Sequence, residues 1–236
     1  MTRFHLASPP PDRAWSECPL CGSDAVRHFA CAHGRRYGEC GTCRLIHLAP
    51  EQRLSSAAER TEYATHSNDP ADPGYRTFLG RVSIPLMREL AAGAEGLDYG
   101  SGPGPALSVM LQEQGFVVAT YDPFFAPDEE LLSRTYDFIT CTETAEHFFH
   151  PEREFDRFDR MLRPGGWLAV MTELYIEEPA FEHWRYARER THVCFYRPDT
   201  MSWLGKRYGW SVTNPHRNVF LFRQAEAESR PQQGPA

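Results

Sequence analysis

The sequence predicts an α/β fold: a mostly parallel sheet with helices on both faces and a C-terminal antiparallel pair, preceded by a small cysteine-rich unit. Three observations predict it. Residues 97–104 read LDYGSGPG, an apolar strand end that runs into a glycine turn. Apolar runs then alternate with helical stripes as far as residue 172, as in βαβ units. Two Cys-x-x-Cys pairs stand near the N-terminus.

Composition limits the classes of function. The chain has 236 residues, of which 41% are hydrophobic, enough for one α/β domain and an appendage. Its formal net charge of −7 argues against a broad nucleic-acid-binding surface. Neither a signal peptide nor a membrane span is recognisable, so we expect a cytoplasmic protein without a membrane partner. In that compartment seven cysteines favour a metal site or free thiols over disulfides.

Residues 1–50 are expected to form an N-terminal arm and a zinc ribbon. Cys18, Cys21, Cys40 and Cys43 have the spacing of a zinc site, with 18 residues between the two pairs. Two thiolates on each turn can place four sulfurs at the corners of a tetrahedron, with short β segments between them. Four sulfurs close the coordination shell, so the zinc would be structural. The alternative is four cysteines that are merely buried.

Residues 51–94 are expected to form a helical linker or cap. The pattern favours a helix within 51–66, a break at 67–74 and a second helix over 75–92, which Pro85 should kink or divide. The second helix would pack over the sheet. It is either a plain core helix or a lid on a ligand.

The glycine turn at 98–104 is followed by a helix expected over 106–114. Glycines allow positive φ and the close approach of a ligand, and the helix directs its first N–H groups toward that ligand. A dinucleotide site would need a glycine where Pro105 stands, which weakens the case for a nicotinamide oxidoreductase. The turn therefore predicts another nucleotide-type ligand.

The next strand ends in a second acid. Residues 116–121 form a continuous apolar run, as a strand buried on both faces requires. They lead into Asp122, 18 residues beyond Gly104, where an acid can accept hydrogen bonds from ribose hydroxyls. The link to the next predicted strand, at 136–141, is short. The usual third strand is therefore expected to be reduced or missing, which leaves Asp128 as the candidate acid for adenine.

The turn resembles motif I of the class I S-adenosylmethionine-dependent methyltransferases, hydrophobic-Asp-x-Gly-x-Gly-x-Gly. The run LRPGG at 162–166, before a strand at 167–172, is similar to the Leu-x-Pro-Gly-Gly turn of that family. The resemblance covers residues 95–175 and implies a Rossmann-like methyltransferase domain over 95–225 that binds S-adenosylmethionine. In the family the acid lies by the methionine ammonium and the cofactor lies across the glycines. The implied cofactor-binding residues are Asp98, Gly100, Gly102, Gly104, Asp122 and Thr142.

Residues 142–147 read TETAEH and follow a predicted strand, at the end of the sheet where ligands bind. On a helix, Glu143, Glu146 and His147 would share one face. They resemble the Glu-x-x-Glu-His element of the ubiquinone-biosynthesis O-methyltransferases and the small-RNA 2′-O-methyltransferases. The resemblance implies a Mg²⁺ or Mn²⁺ site beside the acceptor hydroxyl, with His192 as the later histidine of the RNA family. Alternatively, His147 or His192 is a general base without a metal, or a buried structural histidine.

The C-terminal third continues the α/β pattern. An aromatic and basic segment at 181–196 either covers the acceptor or seals the sheet edge. A helix is expected from Pro198 to Tyr208, then an antiparallel pair at 210–213 and 219–222, and a disordered tail at 226–236.

Together these features predict an S-adenosylmethionine-dependent methyltransferase. The expected reaction is in-line methyl transfer to a small-molecule acceptor, with oxygen preferred to carbon or nitrogen. One alternative is a divalent-metal-assisted RNA 2′-O-methyltransferase. The other is a non-enzymatic zinc-ribbon adaptor that keeps the cofactor fold. The oligomeric state is left open.

Overall fold

The computed structural model describes residues 15–65, 68–177 and 179–226. Most of the predicted N-terminal arm and all but the first residue of the predicted tail lie outside these ranges. Among the described residues, none of the helices has the length and hydrophobicity needed to cross a bilayer.

Strands and helices follow the predicted order. The strands are β1 (Val26–Ala32), β2 (Arg35–Cys40), β3 (Ile46–Leu48), β4 (Glu95–Tyr99), β5 (Val117–Tyr121), β6 (Tyr136–Thr142), β7 (Leu162–Met171), β8 (Cys194–Phe195), β9 (Ser211–His216) and β10 (Val219–Arg223). The α-helices are α1 (Ser56–Tyr63), α2 (Pro73–Met87), α3 (Ala106–Gln112), α4 (Pro151–Met161) and α5 (Pro198–Tyr208).

The larger sheet has six strands in the order β5-β4-β6-β7-β10-β9. The first four are parallel, and β10 is antiparallel to both β7 and β9. Helices α2 and α3 pack on one face and α4 and α5 on the other. This is the predicted Rossmann-like sheet with helices on both faces and a C-terminal antiparallel pair.

The central strands are apolar because helices cover both of their faces. Phe138 and Ile139, neighbours on β6, are fully buried on opposite faces of the sheet. The predicted turn at 163–166 lies within β7 as an irregularity, where the register with β6 shifts between Leu162 and Trp167. In the described residues β5 is an edge strand, in agreement with the expected loss of a third strand.

Several helices differ from their predicted extents; α3, for example, ends at Gln112 rather than at residue 114. The first helix, expected within 51–66, is a 3₁₀ turn at Pro50–Gln52 followed by the shorter α1, whose N-cap Ser55 accepts a hydrogen bond from the Ala58 N–H. Helix α2 contains Pro85 but ends at Met87 rather than continuing to residue 92. Pro85 does not divide the helix, which continues for two residues beyond it although proline lacks the backbone donor of its turn.

The smaller sheet combines the cysteine-rich N-terminal region with a distant part of the chain. Its order is β1-β2-β3-β8, and β8 is contributed by the segment that follows β7 of the larger sheet. Strand β3 pairs with β8 antiparallel, with Ile46 opposite Phe195 and His47 opposite Cys194. The N-terminal region is therefore joined to the larger domain by backbone hydrogen bonding, which the sequence did not predict.

Candidate active site

The glycine turn connects β4 to α3 at the carboxyl end of the sheet. Gly100 has φ +77°, and a Cβ there would lie 2.2 Å from Thr144 Cγ2. At Gly104 a Cβ would lie 2.0 Å from the carbonyl oxygen of Asn68. A side chain is excluded at both positions, so the turn is shaped by conformation and by close neighbours.

Asp98 is buried directly beneath the turn. Its carboxylate accepts hydrogen bonds from Ser108 Oγ at 2.9 Å and Thr140 Oγ1 at 2.8 Å. Burial raises the pKa of this carboxyl group, and the two hydroxyl donors oppose that shift. Asp98 thus connects β4, α3 and β6 below the predicted cofactor position.

Asp122 organises the loop after β5. Its Oδ2 accepts a hydrogen bond from the Gly102 N–H at 3.0 Å, and its Oδ1 accepts from the N–H groups of Phe124 and Phe125 at 2.8 and 3.0 Å. The acid predicted to bind ribose therefore also fixes the glycine turn.

Asp128 acts as a local cap. Its carboxylate accepts from the Glu130 N–H at 3.1 Å at the start of a 3₁₀ turn, and it is not among the described residues that line the cavity. Its assignment to adenine stays a prediction that this position does not support.

A cavity of about 750 Å³ extends from the glycine turn to the predicted acceptor site. Helices α1 and α2 form part of its wall through Tyr63 and Tyr75. The cavity is also lined by every residue predicted to bind the cofactor, by Glu143 and Glu146, and by both predicted catalytic histidines. Residues 100–104, Thr142 and His192 thus border one continuous space.

The Glu-His element is not the helix that its spacing predicted. Glu143 has φ +49°, and its N–H donates to the Met171 carbonyl at 2.7 Å, which extends the strand ladder. Only Ala145–His147 form a 3₁₀ turn. Thr142 Oγ1 and Glu143 Oε1 are buried without a hydrogen-bond partner among the described residues. Both residues line the cavity, where a bound ligand could satisfy these atoms.

Glu146 is fully buried at the end of the cavity. Its Oε2 accepts from Thr172 Oγ1 at 2.8 Å, and its Oε1 accepts from the Tyr186 hydroxyl. The Nε2 atoms of His147 and His192 each lie 4.0 Å from Glu146 Oε1. One carboxylate and two imidazoles therefore converge on one point, with all three ligand atoms within 4.8 Å of one another.

Both histidines are oriented by backbone carbonyls. His147 Nδ1 donates to the Thr191 oxygen at 3.1 Å, and His192 Nδ1 donates to the Tyr186 oxygen at 2.8 Å. A carbonyl can only accept, so Nδ1 carries the hydrogen in each ring. In a neutral imidazole the lone pair is then on Nε2, the atom directed toward Glu146. This arrangement suits either a general base or a metal ligand.

Tyr186 is the functional residue that sequence reasoning missed. Its hydroxyl contacts Glu146 and lies 3.4 Å from Glu143 Oε2, so it bridges the two carboxyl groups. Burial, reinforced by repulsion from Glu146, raises the pKa of Glu143 to about 9, and burial raises that of Glu146 to about 7. A tyrosine 40 residues beyond Glu146 carries no local motif; the sequence indicated only that the aromatic segment at 181–196, which contains it, either covers the acceptor or seals the sheet edge.

Comparison with known proteins identifies the chain. A family model described as "Methyltransferase domain" matches residues 74–214, more than half of the sequence. The chain belongs to this family. The predictions of a class I S-adenosylmethionine-dependent methyltransferase and of its fold are thereby confirmed. A search of curated proteins found no match.

The fold of this methyltransferase is similar to that of a solved structure with a TM-score just above 0.5; two further structures score lower. The 1,6-didemethyltoxoflavin-N1-methyltransferase of Burkholderia thailandensis is 14% identical, with a TM-score of 0.52 over 84% of this chain and 99% of the other. An O-methyltransferase family protein of the same organism is 13% identical, with a TM-score of 0.47 over 65% and 58%. A methyltransferase of Methanosarcina mazei is 15% identical, with a TM-score of 0.47 over 60% and 97%.

The four predicted zinc ligands of the methyltransferase lie together, apart from the cavity. Cys18 Sγ is 3.5 Å from Cys43 Sγ, and Cys21 Sγ is 3.5 Å from Cys40 Sγ. All four sulfurs lie within 4.8 Å of one another. Zinc–sulfur bonds of about 2.3 Å imply sulfur–sulfur edges of about 3.8 Å in a tetrahedron. The donor set and its spacing fit one zinc ion.

Proposed function

We propose that this methyltransferase transfers the methyl group of S-adenosylmethionine to an oxygen atom of a small molecule held beside Glu146, His147 and His192. The observation that carries the proposal is the single cavity that connects these residues to the glycine turn. A methyl donor on the turn and an acceptor at the Glu146 end would share one space, as in-line transfer requires.

The cofactor end fits the sequence-based assignment. Asp98, Gly100, Gly102, Gly104, Asp122 and Thr142 would hold S-adenosylmethionine. The Thr142 hydroxyl and Glu143 Oε1, without partners among the described residues, are available to a polar ligand. When bound, the cofactor supplies a methyl group on a positively charged sulfur, already activated for displacement. The protein's task is then to orient the acceptor and remove its proton.

The acceptor end supplies a base. With Nδ1 donating to a carbonyl, Nε2 of His147 or His192 can accept the proton of an acceptor hydroxyl. Glu146 Oε1, 4.0 Å from both Nε2 atoms, would stabilise the resulting imidazolium. Tyr186 and Thr172 keep that carboxylate in position.

A second candidate is divalent-metal-assisted transfer, either to the 2′-hydroxyl of RNA or to a small molecule as in the ubiquinone-biosynthesis O-methyltransferases that the Glu-x-x-Glu-His element resembles. The convergence of Glu146, His147 and His192 favours it, with His192 as the later histidine that the resemblance implies; among the described residues Glu143 is not part of this cluster. A cation there would lower the pKa of an acceptor hydroxyl. Two imidazoles favour a transition metal over Mg²⁺.

We also propose that Cys18, Cys21, Cys40 and Cys43 hold one structural zinc. Their four sulfurs would complete the coordination shell, and they belong to a separate cluster from the Glu146 group. Zinc here would stabilise the fold without touching either substrate.

The test uses S-adenosylmethionine labelled on the methyl group, with a small-molecule extract or total RNA of the source cell as acceptor. We expect label in a small-molecule product, whose methylated atom mass spectrometry then identifies, and binding of S-adenosylhomocysteine by calorimetry. Label in RNA alone would favour the second candidate. Failure to bind S-adenosylhomocysteine would refute both.

A chelator too weak to remove four-thiolate zinc separates the two mechanisms, provided that elemental analysis confirms the retained zinc. If the chelator abolishes methyl transfer, Mn²⁺ restores it, and Glu146→Gln no longer responds to Mn²⁺, the reaction uses the metal. Transfer that survives the chelator and declines as pH falls through the histidine range would indicate the base.

A further inference from the structure

Val193 connects the cysteine-rich region to the catalytic wall by two backbone hydrogen bonds. Its carbonyl accepts from the Leu48 N–H, at the end of β3, at 2.8 Å. Its own N–H donates to the Glu146 carbonyl, also at 2.8 Å. Residue 193 follows His192 and precedes β8, which pairs with β3. A continuous chain of hydrogen bonds thus runs from the N-terminal sheet to Glu146.

Arg35, at the start of β2, holds the same part of the chain from outside. Its guanidinium donates to the carbonyl oxygens of Ala187 at 2.5 Å, Glu189 at 2.9 Å and Arg190 at 3.2 Å. These carbonyls lie between Tyr186, which supports Glu146, and His192. The planar guanidinium fork can satisfy several acceptors at once, which a lysine ammonium of other geometry would not reproduce.

A buried ion pair supplies the third connection. Glu39 on β2 is 4% exposed, and its Oε1 lies 3.0 Å from Nε of Arg197, which is 7% exposed. The same guanidinium lies over the rings of Phe29 and Tyr175, at 5.6 and 5.0 Å from their centroids. Each group also has a further ion-pair partner in its own region, so the Glu39–Arg197 pair is the part of a larger charge network that connects the two regions.

We propose that the cysteine-rich ribbon positions the acceptor site: β3, Arg35 and Glu39 hold residues 185–197, and with them His192, against Glu146. Residues 185–197 are called the acceptor-side segment below. Among the described residues the ribbon does not line the cavity but supports the segment that does, and Arg35 and Glu39 are therefore positioning residues. That the position of His192 matters for the reaction rests on the proposed function. That the N-terminal region holds the acceptor-side segment rests on the contacts described above.

The experiment compares Arg35→Gln with Arg36→Gln in the full chain. Arg36 is the next residue, and its guanidinium pairs with Glu51 in the N-terminal region. Three quantities are measured: amide hydrogen exchange in the acceptor-side segment, S-adenosylhomocysteine affinity by calorimetry, and methyl transfer to the acceptor extract. Circular dichroism confirms folding, and Arg35→Lys serves as a milder variant if Arg35→Gln does not fold.

For Arg35→Gln we expect exchange in the segment to accelerate by about tenfold or more, because charged hydrogen bonds to three carbonyls are lost. Methyl transfer should fall by a similar factor, while affinity for S-adenosylhomocysteine stays within about twofold, because a segment outside the glycine turn is affected. Arg36→Gln should match the wild type in all three measurements.

Unchanged exchange in both Arg35 variants would overturn the proposal. So would faster exchange with undiminished transfer, since the segment would then move without consequence for the reaction. If Arg36→Gln has an equal effect, the result reflects general destabilisation rather than the Arg35 contacts, and the proposal is overturned too. If wild-type protein transfers no methyl group, the proposed function fails, and exchange in the segment still decides whether the ribbon holds it.

Discussion

Asp122 holds the glycine turn and is also proposed to bind ribose, so one substitution affects both stability and ligand binding. Its carboxylate accepts three backbone N–H groups around the glycine turn, and it lines the cavity where ribose is proposed to lie. The sequence predicted the acid from its distance along the chain. The three N–H contacts could not be predicted, because they depend on the loop at Pro123–Phe125 folding back over the carboxylate.

Asp122→Ala should therefore weaken both ligand binding and the apo protein. We expect S-adenosylhomocysteine affinity to fall by about 1–3 kcal/mol, the usual effect of leaving partners of a charged acceptor unpaired. The melting temperature of the apo protein should fall as well, by several degrees for a loss of about 2 kcal/mol. Calorimetry and thermal unfolding measure the two effects.

Asp128→Ala is the matched control, since it removes an acid six residues away that only caps a 3₁₀ turn. It should leave S-adenosylhomocysteine affinity unchanged. If Asp128→Ala weakens binding as much as Asp122→Ala does, the proposed ribose position is wrong.

The backbone conformation of Glu143 is a feature that the sequence did not predict. Spacing suggested a helical face shared with Glu146 and His147, but a left-handed backbone at Glu143 ends the strand instead. A positive φ at a glutamate is uncommon and depends on tertiary contacts. Its carboxyl group reaches the site all the same, through the Tyr186 hydroxyl.

Among the elements, the strands of the large sheet could be predicted, whereas the two-residue strand β8 could not. Strands β5 and β6 are largely apolar, β4 is marked by the glycine turn that follows it, and α5 begins at a proline. Strand β8 has only two residues, and its pairing with β3 joins positions about 150 residues apart. No local pattern encodes such a contact, so the shared sheet was missed.

Helix α1 carries an acid whose ionisation opposes folding. Glu59 is 8% exposed and lines the cavity, and burial raises its pKa from 4.5 to about 7. The protonated form is therefore favoured in the folded state. Its stabilising effect is complete below about pH 4.5 and is lost as the pH rises through about 7.

Glu59→Gln should remove this dependence. The variant should match the wild type near pH 5 and exceed it at pH 8, by up to roughly 3 kcal/mol in free energy of unfolding, at 1.36 kcal/mol per pKa unit. Urea unfolding of the apo protein at several pH values measures the difference between the two proteins.

Glu62→Gln, on the same helix, is the control. Its carboxylate is an exposed partner of Arg190, and pairs of that kind contribute little to stability. Its difference from the wild type should not change with pH. If the difference in free energy of unfolding between Glu59→Gln and the wild type is equally independent of pH, Glu59 is hydrated in solution and α1 does not close over the cavity.

At the scale of the whole molecule, the sequence suggested two modules and the structure joins them. The domain division at residue 50 stays a prediction, but β8, Arg35 and the Glu39–Arg197 pair all connect the two sides. The family model matches from residue 74 onward and so includes α2, which packs on the larger sheet. These connections lead us to expect that the two regions unfold together.

Loss of the four-thiol site should consequently destabilise the entire protein. Wild-type protein should contain one zinc per chain, and Cys40→Ser should contain none. We expect one thermal transition in each, lower in Cys40→Ser by roughly 10 °C or more, because each 1 kcal/mol shifts the melting temperature of a chain this size by roughly 2–4 °C. Elemental analysis and calorimetry provide the two measurements.

Cys31→Ser is the control for Cys40→Ser, because Cys31 is exposed on β1 and lies outside the four-sulfur group. It should retain zinc and the wild-type melting temperature. A Cys40→Ser protein whose main transition keeps its temperature, with a separate early transition for the ribbon, would show that the ribbon unfolds alone. The shared sheet would then be too weak to couple the two regions, because coupled regions must lose their structure together.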